Sequence, residues 1–199
     1  MRKGEQTKEY ILQKAAQLFN ERGYYGASMS DIMAVTGMEK GGIYNHFKSK
    51  DDLAVQSYEY AVDLMRQAFA QAIKGKYHAV DRLQAVVAVF EKIPGGSPLG
   101  GGCPVVNTAV HASHTHPKLH AYAQETMIEW QDFIRRIAQL GIDRQQLKPE
   151  TDVEMLTTLL ISTLEGAIML TQLHQDDSYM DRAIAHLTNY LQSLALPES

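Results

Sequence analysis

Two groups of residues in this 199-residue chain are of types and spacing able to do chemistry. The first is Lys40, Gly41, Gly42, Tyr44, Asn45, His46 and Lys48, interrupted only by the apolar Ile43 and Phe47. Those two are four apart, one helical turn, so on a helix both face inward and the polar residues face out. Ammonium, phenol and imidazole groups bond phosphate oxygens, and a carboxamide bonds a base edge. Two adjacent glycines early in a short helix cost about 1 kcal/mol each against alanine. Such a helix needs its backbone close to something, and a DNA major groove fits. The second group is Cys103, Asn107 and His111, four apart on one face of a helix that Pro104 opens, with Cys103 at its N-cap. A thiol there, in a glycine loop with access to solvent, has a depressed pKa and is reactive. With His111 as base it would make the nucleophile–base pair of an all-helical enzyme, at a plausible separation, although no orienting acid or oxyanion arrangement accompanies it.

The elements that must position the first group lie between Ser28 and Leu53. Ser28 and Asp31 have capping-box spacing at the start of one helix, and Ser49 and Asp52 repeat it at the start of another. Between them Gly37 is the one position where the backbone reverses without a side-chain penalty. Ile32 and Val35 are expected to pack inward from the first helix, Ile43 and Phe47 from the second. The stretch therefore reads helix, tight turn, helix, and the start of a third.

Around this core the apolar periodicity predicts helices throughout and no strand. Ile11, Ala15, Leu18 and Phe19 mark a helix from Lys3 to Arg22, ended by Gly23, with Arg2 and Lys3 as an arm toward phosphate. A long helix from Lys50 to Ile73, closed by Gly75, carries Tyr58, Ala61, Leu64, Met65 and Ala68. Further helices are expected from Ala79 to Ile93, from Pro104 to Ala112, from Pro117 to about Leu140, from Asp152 to about His174 and from Asp177 to Leu194. The segment from Pro94 to Pro104, rich in Gly and Pro, is a loop. It fits no phosphate loop, dinucleotide fingerprint or nucleophile elbow. In the last two helices Leu156, Leu159, Leu160, Thr163, Gly166, Ala167 and Leu170 form too wide an apolar arc for a monomer surface. That pattern suits a four-helix interface with a second copy.

Composition narrows the function classes. An apolar fraction of 45% and a charged fraction of 21% are those of an ordinary globular protein. The net charge of −4 argues against a bulk nucleic-acid binder. Bases slightly outnumber acids through Leu53, however, which fits a site-specific one. The single cysteine excludes an internal disulfide framework and fits a reducing cytosol. No signal peptide is visible, and Met155 to Leu173 is read as too polar for a membrane span. His111, His114, His116 and His120 are irregularly spaced without a nearby carboxylate pair, so they read as a solvated loop and not a metal site.

The run Ser28…Asp31-Ile32…Gly37, then Gly41, Ile43-Tyr44, His46-Phe47 and Ser49-Lys50…Leu53, resembles the helix-turn-helix of the TetR family of bacterial regulators. The likeness extends upstream to Ile11…Ala15…Leu18-Phe19…Gly23-Tyr24. Glu39 departs from it, standing where the family has a small polar residue. A carboxylate there suits the helix N-terminus, can accept from cytosine N4, or can repel phosphate.

The resemblance implies an all-α protein of about nine helices, in agreement with the periodicity. It implies a helix-turn-helix DNA-binding domain over residues 1–50 and a helical ligand-binding and dimerisation domain over 51–199. It implies a homodimer formed through the last two helices. The two reading helices would stand about 34–36 Å apart on a palindromic operator in double-stranded DNA. Ser28, Tyr44, His46 and Lys50 are expected at phosphates, and Lys40, Gly42 and Asn45 at bases. Met65, Phe69, Phe90, Trp130 and Phe133 are expected to wall a cavity for a small apolar or aromatic effector, with Cys103, Asn107 and His111 as its handles. Gly102-Cys103…Asn107 is also similar to a subset of the family that includes electrophile and oxidant sensors. The expectation is a cytoplasmic repressor without metal, cofactor or membrane partner, released by its effector through a tilt of the long helix. The alternatives are a Cys/His enzyme and an activator of the same family.

Overall fold

A computed structural model of the chain describes residues 3–93 and 100–197. Arg2 and the Lys3 side chain of the expected phosphate arm lie outside the described residues, as does the first part of the Gly/Pro loop. Among the described residues there are nine α-helices and no strand. They are α1 (Lys3–Gly26), α2 (Met29–Thr36), α3 (Lys40–Tyr44), α4 (Lys50–Ile73), α5 (Ala79–Val89), α6 (Pro104–Ala112), α7 (Pro117–Asp143), α8 (Val153–His174) and α9 (Ser178–Ser193). The expected all-helical architecture is present. A 3-10 turn, Phe90–Lys92, finishes α5, so that helix is shorter than its apolar pattern suggests. Gly23 breaks helical geometry inside α1 with φ 68° and ψ 171°, leaving a kink where the sequence suggested an end.

Contacts divide the chain into two compact units. The first holds the described residues of Met1–Met65 and Ser97–Glu125, the second those of Arg66–Gly96 and Thr126–Ser199. This division is drawn differently from one between residues 1–50 and 51–199.

In the first unit Ile11, Ala15, Leu18, Ala27, Ile32, Ile43, Phe47 and Leu53 form one buried cluster, with Met29, Met33 and Met38 around it. Contrary to expectation, Val35 is 40% exposed. The buried stripe of α2 runs Ile32 to Thr36, a full i,i+4 step, and Val35 falls beside it. Thr36 tolerates burial because its Oγ1 donates to the Ile32 carbonyl at 2.7 Å. Further along this unit, α6 packs on α1. Asn20 Nδ2 of α1 donates to the Gly100 and Gly102 carbonyls at 2.6 and 3.0 Å. Asn107 Nδ2 of α6 donates to the Gly101 carbonyl and to Asn20 Oδ1 at 2.6 and 3.1 Å. Gly101 must be glycine there: φ is +65°, and a Cβ would meet the Glu21 Cα at 3.2 Å.

In the second unit α9 packs on α8 and α5. Gly141 does not end α7, which runs on to Asp143. Its role is close approach, since a Cβ would meet Ala79 Cβ at 2.5 Å. The helix is closed instead by Gln146 N and Leu147 N, both donating to the Gly141 carbonyl. An isolated bridge, Leu147 to Ala195, ties the chain after α9 to this turn.

The apolar arc of α8 has two faces. Leu156, Leu160, Leu164, Ala167 and Ile168 are buried in the unit's own core, while Met155, Leu159, Met169 and Leu173 are exposed. Leu156, Leu160 and Ala167, expected at an intersubunit seam, are therefore core residues. On the exposed side, a Cβ at Gly166 would meet nothing within 4 Å. By length and composition α8 is apolar enough to cross a membrane, with mean hydropathy 1.5 over its apolar window, contrary to the reading that it is too polar. Its committed inner face is the feature of a core helix.

Candidate functional site

The first site is the exposed face of α3. Ser28 builds the α2 start as its spacing predicts: Oγ accepts from Asp31 N at 3.1 Å and Ser28 N donates to Asp31 Oδ2 at 2.8 Å. The Ser28 hydroxyl also donates to that carboxylate, at 2.5 Å, so the hydroxyl is committed to the box. These bonds hold the Asp31 carboxyl below the usual carboxylate range. Arg22 adds an ion pair to Asp31 at 3.2 Å. At the other end of α2, Gly37 turns the chain with φ 65° and ψ 20°, the left-handed cap that favours glycine.

Helix α3 follows, and its cap, Glu39, makes no side-chain capping bond. Asn45 N, His46 N and Phe47 N donate back to the Gly41 and Ile43 carbonyls, so the turn continues to Phe47. Ile43 and Phe47 are buried beneath it. Lys40, Gly41, Tyr44, Asn45 and Lys48 are exposed, and Gly42 and His46 half-buried, as the four-residue spacing requires. Lys40 Nζ stands 5.8 Å from the Tyr44 ring centroid. No packing explains the glycine pair. A Cβ at Gly41 would meet nothing within 4 Å, and one at Gly42 only the flexible Met38 methyl at 3.1 Å. The helix bears the propensity cost of two glycines without needing them for its own fold.

At the start of α4, Asp52 N donates to Ser49 Oγ at 3.0 Å, and Asp52 Oδ2 accepts from Lys48 N at 2.8 Å. Lys50 is less free than expected. Its Nζ donates to the Tyr24 carbonyl at 2.7 Å and sits 4.2 Å from the Tyr24 ring centroid. Burial lowers its pKa, against the pull of Asp51 and Asp31. Sequence reasoning missed the group around Tyr24. The Tyr24 hydroxyl donates to Asp51, whose Oδ1 lies 3.8 Å from His116 Nε2. The Tyr24 and His116 rings meet edge to face at 4.6 Å. Burial, then the Asp51 bond, pushes the Tyr24 phenol up to about 12. Because Asp51 and His116 are 65 positions apart, no local pattern could reveal the pairing.

The expected effector residues do not form one set. Phe69, Phe90, Trp130 and Phe133 come together in the second unit, with Phe69 5.8, 5.3 and 6.1 Å from the Phe90, Trp130 and Phe133 centroids. Met65, Cys103, Asn107 and His111 belong to the first unit. Cys103 is 2% exposed, which corrects the expectation of a solvent-accessible thiol: the tied loop of Gly100 to Gly102 folds it inward. It does cap α6, followed by Pro104 in the first turn. The Asn107 amide is spent on that loop. His111 lies against Gly23, within 3.0 Å of where a Cβ would stand. Two helical turns from Cys103, about 12 Å along the axis, it is out of proton-transfer reach, which overturns the nucleophile–base pairing. Among the described residues no cluster of His, Cys, Asp or Glu could hold a metal ion.

A groove opens beside the aromatic rings, between the faces of α4 and α7 that belong to the second unit. Its volume is about 300 Å³, and Arg66, Phe69, Trp130, Phe133 and Arg136 are among its lining residues. Sequence reasoning missed both arginines. The available signal was helical phase: Arg66 precedes Phe69 by three, and Arg136 follows Phe133 by three.

Comparison with known proteins agrees with both halves of this description. Residues 11–56 match the family described as bacterial regulatory proteins, tetR family. Residues 79–187 match the tetracyclin repressor-like C-terminal domain. A TetR transcriptional regulator from Chloroflexus aurantiacus J-10-FL has a similar structure, with TM-score 0.91 and 42% identity over 98% of each chain. A TetR-family regulator from Cytophaga hutchinsonii superposes with TM-score 0.87 at 26% identity, over 100% of this chain and 99% of that one. The transcriptional repressor DhaR of Mycobacterium sp. (strain GP1) is 25% identical over 178 residues, covering 88% of this chain and 87% of its own.

Proposed function

The chain belongs to the TetR family of DNA-binding transcriptional regulators, and from that premise we propose that it is a homodimeric, cytoplasmic repressor that leaves a palindromic operator when a small molecule occupies the second unit. Regulators of this family bind operator DNA and act as dimers. The observation that carries the reading is the glycine pair of α3. Gly41 and Gly42 serve no internal packing, and they lie in a row of exposed cations and hydrogen-bonding tips over a buried Ile43–Phe47 base. A backbone bared at that position suits the floor of a major groove.

In this proposal Tyr44, His46 and Lys50 hold phosphates. Lys40, Gly42 and Asn45 approach base edges. Ser28, its hydroxyl engaged by Asp31, fixes the start of α2 against the backbone. The second copy covers the exposed face of α8, where Met155, Leu159, Met169 and Leu173 are open and Gly166 leaves room for a neighbouring helix. The effector enters among Phe69, Trp130 and Phe133. Phe69 and Lys50 are on one uninterrupted helix, α4, so moving its aromatic end moves the end that touches DNA. A differential affinity of a few kcal/mol between bound and released head spacings suffices to shift occupancy.

The test is sedimentation and gel shift with the duplex upstream of the protein's own coding sequence. The expected result is a complex of two chains per duplex that outcompetes a scrambled duplex. A stable single-chain particle without preference between the two sequences would overturn the reading.

A further inference from the structure

Three features of the second-unit groove are unused by its description as an apolar cavity. Trp130 is 6% exposed, and its Nε1 is buried with no hydrogen-bond partner. An indole N–H only donates, and a buried donor left unpaired costs about 1–3 kcal/mol, so a site that keeps one is set to bond an acceptor. Arg66 is already balanced, its Nη2 2.5 Å from Glu129 Oε2. Arg136, one turn beyond Phe133, has no ion pair among the described residues. With Arg66, Arg136 and Glu129 as its lining charges, the groove carries 2 − 1 = +1.

We propose that this groove takes an amphipathic organic anion: a single aromatic ring with a short side chain ending in a carboxylate and an acceptor oxygen at its other end. The ring lies among Phe69, Trp130 and Phe133. The acceptor oxygen takes the Trp130 N–H, which has no surface open to the groove here and is reached as the guest turns the indole. The carboxylate meets the Arg136 guanidinium, whose fork matches it with two parallel bonds. About 300 Å³ is at the small end of ligand sites, which suits one ring. The inference rests on the reading of the second unit as the effector site, and adds charge and polarity to it.

Trp130 is the only tryptophan in the chain, so its emission, excited where single rings do not absorb, reports the groove directly. Three probes separate the terms: 3-(4-methoxyphenyl)propanoate, its alcohol 3-(4-methoxyphenyl)propan-1-ol, and 3-(4-ethylphenyl)propanoate, which lacks the acceptor oxygen. The methoxy acid is expected to shift Trp130 emission and to bind about tenfold more tightly than the alcohol. It should bind several-fold more tightly than the ethyl acid. Arg136→Gln, at an exposed position, should erase the advantage of acid over alcohol while leaving the alcohol's affinity and the melting temperature unchanged. Equal binding of acid and alcohol, or an unchanged advantage in Arg136→Gln, would overturn the anion assignment and leave an apolar effector site standing. No emission change and no thermal shift with any of the three would overturn the groove as an effector site altogether.

Discussion

The exposed face of α3 and the aromatic groove of the second unit are built on opposite plans. Around α3 the helix-capping groups find their partners close by in sequence, while Lys50 and Asp51 reach Tyr24 and His116 across the unit. Ser28 and Asp31 satisfy one another three residues apart, Ser49 Oγ accepts from Asp52 N while the Asp52 carboxylate accepts from Lys48 N and Gln56, and Gly37 completes the turn between them. In the groove the partners are far apart. Phe69 meets Trp130, and Arg66 meets Glu129 sixty-three positions away, while the Trp130 N–H meets nothing. The first region is complete without its ligand and offers a finished polar surface. The second is held together by packing and leaves a donor unspent. A reading surface has to be rigid before it meets DNA. A sensing site gains from interactions that only the guest completes.

The largest test of that contrast is Phe69→Ala. The ring packs against three others, and its removal from a site 6% exposed should cost about 3 kcal/mol of stability. Urea unfolding followed by Trp130 emission measures it. A loss below about 1 kcal/mol would mean that the rings are loosely assembled and that the groove is not a packed site.

Next in size is the division of labour on α3. Tyr44→Ala should weaken binding to cognate and scrambled duplexes alike, by about tenfold, because a phosphate contact carries no sequence information. Asn45→Ala should lose affinity mainly for the cognate site and relax preference at one base pair, worth about 1–3 kcal/mol. Equal effects of the two changes on both duplexes, in a competition gel shift, would remove the distinction.

A smaller effect is expected at Ser28→Ala, which deletes the acceptor for Asp31 N and one half of the box. The loss should be about 1 kcal/mol, read as a lower urea midpoint with unchanged slope. Operator affinity should fall with it, while Trp130 emission in the folded protein stays the same. A change in that emission would show that the first unit's local order is not self-contained.

The same contrast explains what the sequence made legible. The caps at Ser28 and Ser49, the Gly37 turn, the Ile43–Phe47 base and the bounds of α4 and α6 follow from spacing, because their causes are within one or two helical turns. The burial of Cys103 was hidden because Asn20 and Asn107 tie the loop from opposite elements. The helix expected to end near Leu140 runs through Gly141 to Asp143, because the purpose of that glycine, close approach to Ala79, is set sixty-two positions away. Periodicity showed α8 to be broadly apolar but could not say which half of the arc faces its own core. The effector residues were recognised by type but not by place: aromatic spacing marks core, and only packing assigns Phe69 and Trp130 to one unit and Met65 and His111 to the other.

The smallest expected effect concerns acid. Hydrogen bonds from Ser28 hold Asp31 below the usual carboxylate range, and hydrogen bonds from Lys48 N and the Gln56 side chain do the same for Asp52. A carboxyl with a depressed pKa in the folded state stabilises it fully above its unfolded value of about 4, and that stabilisation is lost as pH falls through the lowered value. In the second unit one such group, Asp176, is held low by Ser178. Both groups of the first unit cap helices that frame α3, so between pH 5 and pH 3 the amides of α2 and of the first turn of α4 should lose exchange protection before those of α9 beyond its own first turn, which Asp176 holds. Hydrogen exchange read by mass spectrometry measures that order. Asp31→Asn, which keeps the side-chain shape without the charge, should flatten the acid dependence of α2 and leave α9 as it was. If α2 and α9 lost protection together in both proteins, the caps would not be what distinguishes the reading surface from the groove.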